Sequence, residues 1–263
     1  FHTSFNVINT ILFLPFVNFL AFLARKAVRE KIKPAEPQKV KLQFINSDIV
    51  RTPELAIEEA LQTLKQMGRI SINGLHVVTD IILHPDDSFD EKAKKVALTE
   101  QELDDMEEDI NHFLIQLTQT SISSRVSNEV NAIIGSSHDF ERIGDHLRGL
   151  MELAARKKRK DMVFTEPAQK DLELLSNEVI KLVELVTNAV DHRPDTLLRD
   201  AHVLEDGINR KRDQMRKSHL KRMMENECGY KAGLLYVELL THYEKVGDHA
   251  FNVAQDFAPR EQV

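Results

Sequence analysis

The stretch "HDFERIGDH" at residues 138–146 returns about a hundred positions later as "HYEKVGDHA" at 242–250. Glu141 and Asp145 stand four apart, as do Glu244 and Asp248, with Gly144 and Gly247 at matching offsets. The echo extends upstream: "MEEDINHFL" (106–114) aligns with "LEDGINRKR" (204–212), pairing Glu107 with Glu205 and Asn111 with Asn209. An internal repeat requires both halves to fold the same way, so the chain is one unit used twice.

That unit reads as three helices. Thr52-Pro53-Glu54 is a helix start, with Thr at the N-cap and Pro in the first turn. Leu61, Leu64, Ile72, Leu75 and Val78 then recur at helical spacing up to His84-Pro85. A polar loop, "HPDDSFDEKAKK", leads to Thr99–Glu102, a capping-box pattern that predicts the start of a second helix. A third carries Val126, Val130, Ile133, Phe140, Ile143, Leu147 and Leu150. The order repeats from Pro167 to near Arg193-Pro194, from about Thr196 to Met224, and from about Tyr230 to Phe257. The predicted class is all-α: repeats over 52–160 and 161–263 forming a six-helix bundle. Between them "RKKRK" (156–160) reads as a solvated helix terminus.

Composition agrees. Trp is absent, and 9 Gly and 8 Pro are few for 263 residues. Cys228 stands alone, so no intrachain disulfide forms. The net charge of −7 hides an asymmetry. Arg25, Lys26, Arg29, Lys31 and Lys33 against Glu30 make the first 33 residues basic, leaving the remainder acidic and ill suited to nucleic acid.

Phe5 to Ala24 is an uncharged run of 20 residues, about 30 Å as a helix and enough to cross a hydrocarbon core. The basic cluster behind it predicts a transmembrane helix within 1–33 whose C-terminal side is cytoplasmic. Residues 34–51 are then a linker, and the abrupt start at Phe1 is that expected of the tail of something longer.

The duplicated carboxylates carry the chemical question. On a helical wheel Phe140, Ile143, Leu147, Leu150 and Met151 share one arc, and Glu141 and Asp145 sit together at its border. Tyr243, Val246, Ala250 and Val253 repeat that arc, with Glu244 and Asp248 at its border. Carboxylates four apart repel, and a bound cation is one compensation: Mg²⁺, Ca²⁺, Mn²⁺ or, less selectively, Fe or Zn. Glu107 and Glu205 on the preceding helices can add ligands across a helix pair. The competing reading is a solvated flank with Arg142 or Lys245 as counter-ion. His138 lies on the side of Glu141, but its counterpart is Thr241. His146 and His249 point away, as surface or inter-helix histidines. A helix-interior Gly costs roughly 1 kcal/mol relative to Ala, so Gly144 and Gly247 read as packing residues. No nucleophile with a base, P-loop or dinucleotide fingerprint is present, which argues against an enzyme.

"FERIGDH" and "YEKVGDHA" resemble the paired signatures of the PhoU family, regulators of phosphate uptake, over about residues 48–257. "SDIVRTPELAIEEALQTLKQMG" resembles the entry to the version fused behind bacterial sodium/phosphate cotransporters. "FHTSFNVINTILFLPF" is similar to the final membrane segment of those transporters. The resemblance implies the C-terminal portion of a sodium-dependent phosphate symporter in the cell membrane, with residues after about 33 in the cytoplasm regulating transport. It implies an upstream transport unit as partner, phosphate and sodium as transported species, and admits a homodimer. The family's metal motif, Glu/Asp-x-x-x-Asp, is matched by Glu141/Asp145 and Glu244/Asp248. The companion motif departs from it, reading Glu107…Asn111 and Glu205…Asn209. The lost charges leave a weaker single-ion site, of divalent or iron type, or none. The alternative is a non-catalytic metal-binding or partner-docking helical module that gates nothing.

Overall fold

The structure, a computed structural model, describes residues 52–119 and 122–258. They form six helices: α1 (Pro53–Leu83), α2 (Phe89–Thr118), α3 (Ser124–Arg159), α4 (Glu166–His192), α5 (Leu197–Met224) and α6 (Tyr230–Phe257). The expected transmembrane helix and linker lie outside the described residues.

Each helix is made by an apolar stripe at alternating spacings of three and four. In α1 it runs Ala56, Ala60, Leu64, Met67, Ser71, Leu75, Val78 and Ile82, all buried. Ser71 is tolerated there because its hydroxyl donates to the Met67 carbonyl one turn back, at 2.9 Å. The α1–α2–α3 and α4–α5–α6 triples each pack with every pair in contact, and the triples join through α1 on α4 and α3 on α6. Helices α1, α3, α4 and α6 therefore enclose the core, with α2 and α5 outside. Gly68 permits the α1–α4 crossing, since a Cβ there would stand 2.3 Å from Thr187 Oγ1. Arg193, in the left-handed region at φ 39°, ends α4 and donates to Glu129 of α3 at 2.8 Å.

One local expectation is overturned and a second is modified at a single residue. The helix expected to open at Thr99 begins at Phe89, ten residues earlier. Phe89 and Val96 are buried and hold the early turns, while Thr99 donates to the Lys95 carbonyl at 3.0 Å, mid-helix. The "RKKRK" run is the exposed C-terminal end of α3 as expected, except at Lys157. Lys157 is buried and donates to the Ile82 carbonyl at 2.8 Å, closing the C-terminal end of α1. Lys158 lies over the Phe89 ring at 4.2 Å, and Arg156 pairs with Glu238 at 3.5 Å.

Candidate metal centre

In the first repeat the acidic border positions converge. Glu107 follows buried Met106 on α2, Glu141 follows buried Phe140 on α3, and the α2–α3 contact turns the two carboxylates toward each other. Their side chains are 20% and 16% exposed. His138, one turn before Glu141, lies with Nδ1 3.1 Å from Glu107 Oε1. Arg142 Nε donates to the other ring nitrogen at 3.4 Å, so Nδ1 carries the proton. One ligand atom each from Glu107, His138 and Glu141 lies within 4.8 Å of the others.

The surrounding charge is concentrated. Burial pushes the Glu141 carboxyl above its ordinary value, and Asp145 and Glu107 push it further against the pull of Arg142 and His138. Burial likewise raises Asp104, helped by Asp105, Glu107, Glu108 and Asp145. Two oxygens here are buried with no hydrogen-bond partner, Glu141 Oε2 and Asn111 Oδ1, the first with Arg142 Nε 3.5 Å away as a counter-ion. The Asn111 amide donates to Glu107 Oε1 at 3.4 Å, leaving its carbonyl free. Two orphaned oxygens beside two carboxylates and an imidazole suit a cation of mixed oxygen–nitrogen preference, such as Zn²⁺, Mn²⁺ or Fe²⁺. The residues present fit such an ion.

Asp145 does not join the trio. Arg142 donates to it at 2.9 Å and Arg148 at 2.8 Å, and Arg148 also pairs with Glu100. In the second repeat Glu244 is 13% exposed and receives Arg212 Nη2 at 3.4 Å. Lys245 holds Asp248 at 2.6 Å and stands 3.7 Å from Glu244. Asn209 donates to Glu205, and Asn209 Oδ1 is again buried without a partner. The duplicated letters thus sit in unequal surroundings. The arginines that answer these carboxylates, Arg148 and Arg212, were not among the candidate residues. The repeat alignment does show one of them, because Arg212 falls opposite Leu114.

His146 and His249 lie between helices. His146 Nδ1 is 3.1 Å from His242 Nδ1 of α6, and His249 Nδ1 is 2.8 Å from Asp139 of α3. They belong to the junction of the repeats.

Two three-helix repeats closed into one bundle, with an acidic flank on each, define an all-α repeat protein carrying a candidate cation centre. The PhoU domain family matches residues 64–154 and 172–257, one match per repeat, and the chain belongs to that family. It is 21% identical over 211 residues to the phosphate-specific transport system accessory protein PhoU homolog of Xylella fastidiosa strain 9a5c, covering 80% of this chain and 87% of that one. The homolog of strain Temecula1 / ATCC 700964 matches at the same identity, over 85% of its length. In structure it resembles PhoU from Pseudomonas aeruginosa, with a TM-score of 0.72 at 18% identity over 78% of this chain and 96% of that one. It also resembles the phosphate transport system regulatory protein PhoU from Streptococcus pneumoniae, at 0.66 and 17% identity over 78% and 94%.

These findings correct the expected placement in the cell membrane. Among the described residues no helix is long and apolar enough to cross a membrane. The relatives that match 80% of the chain are accessory proteins of a transport system. The apolar run Phe5–Ala24, on which the expectation rests, lies outside the described residues.

Proposed function

We propose that the chain is a non-catalytic regulator of phosphate transport, acting on a transport unit through its helical surface. The carrying observation is the match to the PhoU domain family in both repeats. The names of its relatives support the process: accessory and regulatory proteins of phosphate transport. The resemblance of residues 1–16 and 47–68 to segments of sodium/phosphate carriers favours a sodium-coupled transporter as the regulated one.

A divalent or iron-type ion at Glu107, His138 and Glu141 is part of this proposal, supported by the orphaned oxygens beside them. Such an ion would supply positive charge to neutralise a cluster that otherwise repels itself. Glu107 and Glu141 would hold it from two helices, and Asn111 would offer its free carbonyl. The ion would then lock α2 to α3 and change the surface shown to a partner.

The test is labelled-phosphate uptake by cells lacking the gene and by cells carrying it, in sodium and in potassium medium. The chain should change the rate of uptake or its response to external phosphate, and the change should appear in sodium only. Equal uptake with and without the chain overturns the regulatory reading. An effect that is the same in both media removes the sodium-coupled version.

A further inference from the structure

Two of the matched positions at which the repeats differ bear on cation binding. Where the first repeat has buried Leu114, the second has Arg212. Where the first has His138, the second has Thr241, whose hydroxyl donates to the Val237 carbonyl of its own helix at 3.1 Å. Arg212 is 24% exposed, and its Nη2 reaches Glu244, the counterpart of Glu141, at 3.4 Å. Its Nη1 lies 3.3 Å from Asp213, while Nε is buried with no hydrogen-bond partner. Asn209 Oδ1, the counterpart of the Asn111 oxygen, is also buried without a hydrogen-bond partner. Both repeats place a guanidinium near the carboxylate an ion would need. In the first it is Arg142 of the same helix, 47% exposed and 3.5 Å from Glu141 Oε2. In the second Arg212 reaches across from the facing helix and is only 24% exposed, and the imidazole is lacking.

We infer that Arg212 is the resident cation of the second repeat: it stands in for a metal ion, and the chain holds one ion, in the first repeat only. Guanidinium stays charged at every physiological pH and cannot yield by losing a proton. A divalent ion near Glu244 would meet its repulsion at close range in a site screened little by salt. The halves of the duplication have thus separated in role, one exchangeable and one permanently charged. This inference rests on the proposal that Glu107, His138 and Glu141 bind an ion.

The test is the ion count. Zn²⁺ or Mn²⁺ is titrated calorimetrically into the full-length chain, and retained metal is measured after desalting. The wild type should take one equivalent, and Glu107→Gln with Glu141→Gln none. Arg212→Leu, which restores the residue found in the first repeat, should take two, and adding Glu244→Gln should return the count to one. Arg212→Gln is carried alongside in case the Leu variant loses helicity by circular dichroism. Two equivalents in the wild type, or a count unchanged in both Arg212 variants, overturns the role of Arg212. No binding by the wild type overturns the metal reading of the first repeat. One equivalent gained by Arg212→Leu would even then show that the arginine excludes metal.

Discussion

His219 lies wholly buried on α5, stacked on the Tyr236 ring at 4.1 Å, with Arg222 3.4 Å from its Nδ1. Burial, and then the Arg222 charge, lower its pKa to about 4. An unfolded histidine titrates near 6.5. Between these values the unfolded chain takes up a proton that the folded chain refuses, so stability falls as pH drops from about 6.5 toward 4. One such group contributes at most roughly 1.4 kcal/mol per pH unit in that window. His146, also lowered to about 4 by burial and its histidine neighbours, acts in the same direction. Urea midpoints at pH 7 and pH 5 test this: the wild type should lose stability, and His219→Phe, which keeps the stack but cannot titrate, should lose measurably less. Identical losses would mean that His219 is not refused its proton. The stripe on α5 makes position 219 inward-facing, but the ring stacked on it, Tyr236, lies 17 residues away on another helix. No local pattern carries that.

At the scale of elements, the openings of α1, α4 and α5 were legible because Thr52-Pro53, Pro167 and Thr196 mark them. The α2 start was not, because Thr99–Glu102 has the letters of a capping box at a place where burial of Phe89 and Val96 keeps the chain helical through it. Capping patterns are local, and packing from outside the window overrides them. The interior glycines show the same division. Gly144 and Gly247 read alike, yet a Cβ at 144 would meet Leu103 Cδ1 at 2.9 Å, whereas at 247 the nearest atom is Ile208 Cδ1 at 3.3 Å. Gly207 would meet nothing within 4 Å. Gly207→Ala should therefore stabilise the protein by about 0.5–1 kcal/mol through helix propensity alone. Gly144→Ala should destabilise it, since displacing Leu103 from a filled core costs about 1–3 kcal/mol and outweighs that gain. Chemical denaturation of the two variants checks the pair. A Gly144→Ala protein as stable as Gly207→Ala would show that α2 does not press on α3 at that point.

The whole molecule depends on how one repeat recognises the other, and the α3–α6 junction carries a line of polar pairs that do this. Ser136 donates to Asp256 at 3.0 Å, Asp139 receives His249 at 2.8 Å and Asn252 at 3.0 Å, His146 meets His242 at 3.1 Å, and Arg156 meets Glu238 at 3.5 Å. As the α3 number rises the α6 number falls, so the helices run antiparallel, and each pair fits one register only. An apolar seam would tolerate sliding; these pairs, the exposed Arg156–Glu238 apart, do not, because a slip strands partly buried polar groups at about 1–3 kcal/mol each. The sequence placed His146 and His249 off the apolar arc, which was right, but a wheel shows angle and not partner, and so the junction stayed hidden. Glu141 of the proposed ion site lies on the same helix, between Asp139 and His146, so an ion that moved α3 would move the surface between the repeats. Asp139 is the anchor, 9% exposed and shared by two donors. Asp139→Ala leaves the His249 and Asn252 donors without their acceptor and should cost about 2–6 kcal/mol, since each lost partner carries roughly 1–3. Asp139→Asn keeps one acceptor oxygen and should cost less. Urea unfolding followed by circular dichroism measures both. A loss below about 0.5 kcal/mol for Asp139→Ala would mean that the repeats are held by their apolar faces and that the polar seam sets nothing. The expected loss, with the Asn variant intermediate, would make Asp139 the residue that fixes how the two copies of the unit meet.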